Sequence, residues 1–386
     1  MKKQANTAPK QPARTSQRPL EGTKGDKKLP TLPPREEHST TVQLDASVFK
    51  EFATWALPLT KTADPTRNFH LARFTGTHLC FSDGIAGIAF PFVGLKDVVV
   101  PGIPLFQIGK SAHGIDQVIL VYKGEKLAIQ VGAFTASLPC ITADVLPTWP
   151  KAPTVWVDIE AGHLAAIHNV SFAMSKNPNS LISLQAVALR KGLAMAGTEN
   201  RIVFQKSGLP ITVNTLLMDR FITMLERGTA DPSLLGFTES QTWIQYASGV
   251  QVWGAIPTVP WPDSTDNMLR DYVTKTKGVS PSVVWDAVTI LPALERVLSF
   301  GVSIITVTIT KGENFINFFT QTLHGEATES ASTTAPNTAT YEFLIDGALF
   351  RDVLVVTTKF WYLMTEGVLV FSGANGFVAV MGIIRK

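Results

Sequence analysis

The sequence predicts an α+β chain made of three copies of one doubled helix-plus-antiparallel-sheet unit. Three observations carry that prediction. From residue 40 onward, strand-like runs of Val, Ile, Phe and Thr alternate with a few helix-like segments. An apolar–acid–Ala–x–x–apolar pattern occurs three times, as LDASVF at 44–49, IEAGHL at 159–164 and WDAVTI at 285–290. A glycine followed by an apolar strand also occurs three times, as GAFTASLP from Gly132, GVQVWGAI from Gly249 and GFVAVMGI from Gly376. The acid-to-glycine distances are 87 residues (Asp45 to Gly132), 89 (Glu160 to Gly249) and 90 (Asp286 to Gly376). Each short motif is weak by itself, but near-equal spacing in three copies is hard to obtain by chance.

Each acid closes a short apolar run and opens a helical periodicity. The apolar positions are Phe49, Phe52 and Ala56; then Leu164, Ile167 and Val170; then Ile290, Leu294 and Val297. A strand ends there and a helix begins, with the acid at the cap or first turn, facing the helix dipole. A second helix is expected around Leu105 and Phe106, around Leu217 and Met218, and around Leu349 and Phe350. Three or four strands lie between the two helices of a copy, and more follow the second. A copy of about 110 to 125 residues is a whole domain and not a solenoid unit. Turn-rich stretches at 146–153 (LPTWPKAP) and 276–282 (TKGVSPS) mark the boundaries. The expected organisation is a tail at 1–40 and domains at 41–150, 151–277 and 278–386.

Composition excludes several classes of function. Hydrophobic residues make up 45% and charged residues 17% of the 386, which suits a globular chain with large cores. No apolar stretch is long enough to span a bilayer, and MKKQANTAPK at the start has no apolar segment behind it. Membrane association is therefore not expected, and a cytoplasmic protein is. The only cysteines, Cys80 and Cys140, are expected as buried thiols and not as a disulfide framework or a metal site. The net charge of +3 hides an asymmetry: residues 1–39 hold nine Lys/Arg and four Asp/Glu, so the tail is +5 and the remainder −2. That tail has almost no large apolar residues and is expected to be disordered, either as a solvating leader or as an arm for nucleic acid or a partner. There is no GxxxxGK[ST], no helix-opening GxGxxG, no HExxH and no GxSxG. His163 and His168 do not share a helix face, and Asp45, Glu160 and Asp286 read as helix-start acids. No catalytic residue, metal or cofactor is expected.

Three tandem domains of this kind resemble the bacterial β sliding clamps, the processivity subunits of replicative DNA polymerases. Five stretches carry the resemblance: GAFTASLPCITADVLPTWP at 132–150, SFAMSKNP at 171–178, WPD at 261–263, ILPALERV at 290–297 and VAVMGIIRK at 378–386. It covers about residues 41–386, and the divergence is that of a remote member, such as a phage protein. The resemblance implies a ring of two chains around duplex DNA, with helices inside and sheets outside. Topology then supplies retention, and Lys and Arg need only weak phosphate contacts.

The resemblance also implies positions. For DNA they are Lys61, Arg67, Lys176, Asn177, Arg220 and Arg227. Leu181 and Ile182 stand where the family has aromatic contacts. For a groove that takes short peptides from the polymerase, the clamp loader and repair proteins they are Leu184, Arg201, Ile202, Pro262, Val380, Met381 and Ile383. Two departures from the family pattern bear on that groove: Thr198, Glu199 and Asn200 precede Arg201, and Gly382 follows Met381. For the contact between chains they are Ala136, Leu138, Val297, Leu298 and Phe300, with Ala136 smaller than the family's aromatic. Two rival readings are a tandem β-domain structural protein, such as a virion component, and an interaction scaffold that does not close as a ring. Paired helices with basic residues on one face discriminate the clamp from the first of these.

Overall fold

The computed structural model describes residues 39–113, 117–146, 148–227, 231–323 and 325–384. The basic tail, apart from Ser39 and Thr40, lies outside the described residues.

One order of elements occurs three times. The first copy runs β1 (Thr40–Asp45), α1 (Ala46–Thr60), β2 (Leu71–Thr75), β3 (His78–Ser82), β4 (Ala86–Pro91), β5 (Lys96–Pro101), α2 (Gly102–Ser111), β6 (Gln117–Lys123), β7 (Lys126–Val131) and β8 (Phe134–Pro139). The second runs β9 (Trp156–Asp158), α3 (Ala161–Ser171), β10 (Ala186–Arg190), β11 (Leu193–Gly197), β12 (Arg201–Lys206), β13 (Thr215–Met218), α4 (Asp219–Leu225), β14 (Pro232–Phe237), β15 (Gln241–Tyr246) and β16 (Gln251–Ala255). A further helix, α5 (Asp263–Thr276), follows it. The third runs β17 (Val283–Val284), α6 (Ala287–Leu298), β18 (Ile304–Ile309), β19 (Phe315–Thr322), β20 (Gly325–Ser332), β21 (Tyr341–Asp346), α7 (Gly347–Val356), β22 (Thr357–Leu363), β23 (Val368–Gly373) and β24 (Val378–Gly382).

The repeated acids cap helices, each by a different route. Asp286 accepts from the Val288 amide at 3.0 Å. Glu160 forms a capping box in which the His163 ring accepts from the Glu160 amide at 3.0 Å. Asp45 holds the cap position of α1 without a side-chain bond. The repeated glycines have a stricter reason. Gly132, Gly249 and Gly376 sit at φ +56°, +83° and +71°, a left-handed turn that a side chain would strain. Two expectations shift. Leu217 and Met218 end β13 and the second helix begins at Asp219. The sequence reading also contains no helix at α5, whose buried residues are only Asp266 and Leu269.

The strands form four sheets. Two have four strands, in the orders β1-β6-β7-β8 and β20-β19-β18-β21. Two have eight, in the orders β5-β2-β3-β4-β16-β15-β14-β9 and β13-β10-β11-β12-β24-β23-β22-β17. Each eight-stranded sheet joins adjacent copies through one antiparallel ladder. At the first junction Gln251 faces Ala89 and Gly254 faces Ala86. At the second, Arg201 faces Met381 and Phe204 faces Val378.

Helices α1 to α4, α6 and α7 pack on the sheets and share one apolar core. Helix α1 alone buries Phe49, Phe52, Trp55 and Leu59, each contributing roughly 1.5–3 kcal/mol by leaving water. A separate cluster lies on the opposite face of the second junction sheet, where Leu269 and Trp261 cover Leu184, Met195, Val370 and Val380.

Candidate nucleic-acid and partner-docking surfaces

The helices come in pairs, with α1 against α2, α3 against α4 and α6 against α7. Among the described residues their solvent faces carry few cations that do not already meet an acid: Arg220, Arg296 and Arg351 pair with Asp83, Glu329 and Asp352. On α1 and α2 the exposed cations are Lys50 and Lys110, and neither meets an acid among the described residues. The face of α3 exposes Ala161, Ala165 and Asn169, and that of α7 exposes Ala348 and Val355. Lys50 and Lys110 are absent from the expected set, although both sit at polar positions between apolar ones, Phe49 and Phe52 in one case and Phe106 and Ala112 in the other. That spacing is the signal that finds them.

The expected DNA positions divide. Lys61 is exposed at the end of α1, and Arg227 is exposed just beyond α4. Arg67 is exposed beside Asp64 at 3.7 Å, and Lys176 lies 2.9 Å from Asp219. Asn177 is exposed and turns its Oδ1 to the Asn179 amide. Arg220 is a junction residue: it donates to the buried Asp83 carboxylate at 3.2 Å, across from α4 to the β3–β4 turn. Asp83 is held in place by the Ile85 and Ala86 amides at 2.9 and 2.8 Å and by the Thr62 hydroxyl at 2.8 Å.

The expected peptide groove also divides, because successive strand residues point to opposite faces. Leu184, Ile202 and Val380 lie on the face away from the helix pairs, with Pro262 next to the covering Trp261. Leu184 and Val380 are buried there, and Ile202 and Pro262 are half-buried. Arg201, Met381 and Ile383 do not share that face. Met381 is buried in the main core, and Ile383 is half-buried against it. Arg201 is buried beneath α7, where it donates to the Leu349 carbonyl and to Asp352, both at 3.2 Å. It also donates to the Phe172 carbonyl at 3.3 Å and lies over the Phe172 ring at 5.1 Å. Burial lowers the Arg201 pKa and the Asp352 bond opposes that shift. The guanidinium remains a cation, locked between copies.

Helix α5 is strapped over this outer face at both ends. Arg190 donates to the Trp261 carbonyl at 3.0 Å and to Asp263. Lys275 pairs with Glu366 and, at 2.8 Å, with Asp271. The hydrogen bond from Arg190 lowers the Asp263 pKa, and that from Lys275 lowers the Glu366 pKa. Among the described residues the first junction has no such helix. A pocket of about 210 Å³ opens there between Phe69, Leu71, Cys80, Trp149 and Trp253.

At the free edges of the four-stranded sheets, β8 and β20 have one neighbour each. Ala136 is half-buried on β8 and Phe134 is 53% exposed. Phe300 is 47% exposed and Leu298 half-buried. Leu138 and Val297, expected at the contact between chains, are core residues at 7% and 1% exposure. Leu138 turns inward across from Leu127, and Val297 is on the buried stripe of α6. The thiols differ as well. Cys80 is buried, and burial pushes its pKa up to about 12. Cys140 is half-buried, with its pKa pushed up to about 11 by the same cause.

No protein-family model and no curated protein matches this chain. Solved structures do. The β subunit of DNA polymerase III from Thermotoga maritima is 16% identical over 90% of this chain and 100% of its own, with a TM-score of 0.73. A sliding clamp from Bartonella birtlesii bound to griselimycin is 13% identical over 90% and 100%, at 0.75. A DNA polymerase sliding clamp from Pseudomonas aeruginosa with a ligand is 15% identical over 90% and 100%, at 0.74. The fold of this chain is the sliding-clamp fold.

Proposed function

We propose that this chain is a DNA sliding clamp, a non-enzymatic ring of two copies that encircles duplex DNA and tethers a DNA polymerase for processive synthesis. Its three clamp domains are 41–150, 151–277 and 278–386. The observation that carries the reading is the pair of free edges. Three equivalent copies make two junctions within the chain, and β8 and β20 are left as the halves of a third. Head-to-tail pairing of two chains completes it twice and leaves neither β8 nor β20 open.

Internal symmetry supplies the register. Arg73, Ala188 and Thr306 each pair with the residue three before the second helix of their copy, namely Val99, Leu216 and Leu344. Across the ladders these lead to Ala89, Phe204 and Thr328. Ala89 faces Gln251 and Phe204 faces Val378, each two residues beyond the repeated glycine. The position two beyond Gly132 is Phe134. Phe134 therefore faces Thr328 of the other chain, and Ala136 faces its Glu326. The exposed Phe134 and Phe300 become covered, with Leu298 beside them and Leu138 and Val297 supporting from the core.

Inside the ring, Lys50, Lys61, Arg67, Lys110, Lys176, Asn177 and Arg227 meet phosphates without reading sequence. The sparse charge suits weak, mobile contact. Leu184, Ile202, Pro262 and Val380 mark the outer face on which polymerase and clamp-loader peptides dock. The virion reading is disfavoured by the helix pair in every copy. The test is retention on DNA. Protein loaded on a nicked circle is expected to stay there and to slide off once the circle is linearised. Equal retention on both forms would sink the topological reading.

A further inference from the structure

A second concave surface lies along one side of α5. It is a pocket of about 280 Å³ that shares no residue with the groove named above. Its floor is apolar: Leu193, Met195 and Phe204 from the sheet and Leu269 from the helix. Its rim is cationic. Arg270 and Lys277 project from α5 and meet no acid among the described residues. Lys191 lies at the near end, and the only acid in the lining, Asp266, is already engaged by Lys191 at 3.2 Å and by Arg190 at 3.7 Å.

The shape selects among ligands. The lining follows one helix face from Asp266 to Lys277, which at 1.5 Å per residue is roughly 16 Å. An extended segment of about five residues has that length. Its side chains alternate, so one face can pack on the half-buried Leu193 and Phe204 while the other presents carboxylates to Arg270 and Lys277. We infer that this pocket binds an acidic peptide in which apolar and acidic residues alternate. An apolar floor disfavours nucleic acid as the occupant, and uncompensated cations disfavour a neutral or basic peptide. The inference stands on this pocket alone and does not depend on ring closure.

The test uses the full chain and a fluorescein-labelled peptide of roughly twelve residues alternating Leu or Phe with Asp or Glu, read by anisotropy. Controls are the same peptide with Lys for every acid and a labelled single-stranded oligonucleotide. The acidic peptide is expected to bind, and the Lys version is not. The double variant Arg270→Glu/Lys277→Glu, both exposed, is expected to weaken binding at least about tenfold. The double variant Lys123→Glu/Lys126→Glu, at exposed positions of the β6–β7 hairpin, makes the same change in net charge far along the chain and is expected to leave binding unchanged. Equal weakening by both double variants would reduce the effect to bulk charge and overturn the site. So would no binding to the unsubstituted protein, or an oligonucleotide that binds with the same dependence on Arg270 and Lys277.

Discussion

The two junctions within the chain are built alike and finished differently. Each is an antiparallel ladder between the last strand of one copy's first sheet and the last strand of the next copy. Each is also locked by an ion pair, buried at one partner, that reaches to the next copy's second helix. At the first junction the anion belongs to the earlier copy, Asp83 to Arg220. At the second the cation does, Arg201 to Asp352. A Trp-Pro pair follows both, at Trp149-Pro150 and Trp261-Pro262, but only the second leads into a helix that covers the outer face. The backbone ladder sets the joint. The charge order of its lock and the finish of its outer face are free to diverge.

The locks break that comparison most severely. Arg201→Ala removes a buried guanidinium with its hydrogen bonds to Asp352 and to the Leu349 and Phe172 carbonyls, and is expected to cost about 3 kcal/mol in chemical unfolding. Arg220→Ala is expected to cost about 1–2 kcal/mol less than that, because it breaks a single pair and Asp83 keeps its two amides and the Thr62 hydroxyl. Equal costs would show that the additional hydrogen bonds of Arg201 do not distinguish the two locks. The strap is next. Leu269→Ala is expected to cost about 2 kcal/mol, read as faster hydrogen exchange confined to α5 and the strands beneath it. Exchange rising equally at the first junction would contradict a local strap.

Acid tests the strap more gently. Asp263 and Glu366 have pKa values lowered below their ordinary 3.8 and 4.5 by hydrogen bonds from Arg190 and Lys275. A carboxyl whose folded pKa is depressed stabilises fully above the unfolded value and loses that contribution as pH falls through the folded one. Trp261 fluorescence is therefore expected to change as pH falls below the ordinary carboxylate values, and to change less in Asp263→Asn/Glu366→Gln. An identical response in that variant would remove these pairs from the account. The smallest effect is at the thiols. At pH 8 both are expected to react slowly with iodoacetamide, and Cys140 faster than Cys80, as their pKa values of about 11 and about 12 and their exposure require.

What was legible in the sequence follows from what repeats. The glycines at 132, 249 and 376 mark a backbone turn that only glycine adopts without strain, so they recur and can be counted. The acids at 45, 160 and 286 mark helix starts for a local reason. Facing is a different matter. Arg201 and Ile202 are adjacent in sequence and lie on opposite sides of one sheet, as do Val380 and Met381. A resemblance carries a segment across, but only the observed pairing says which alternate residue reaches the outer face. Leu138 and Val297 make the same point: the segment is at the edge and the side chain lies in the core. Helix α5 was missed because it is polar on most of its surface and is held by Leu269 and by ion pairs distant in sequence.

The central claim is that β8 and β20 form the third junction, in the register of the other two. Ala136→Cys and Glu326→Cys in one chain, with Cys140→Ser, place thiols opposite each other across two interfaces at a spacing that disulfides accept. The measurement is oxidation after loading on a nicked circle, followed by denaturation in detergent. The account predicts covalent rings that remain threaded on the circle and come off when it is cut, with far less cross-linking in the off-register pair Ala136→Cys/Thr328→Cys. Equal cross-linking of both pairs, or cross-linked protein that leaves the intact circle in detergent, would contradict it.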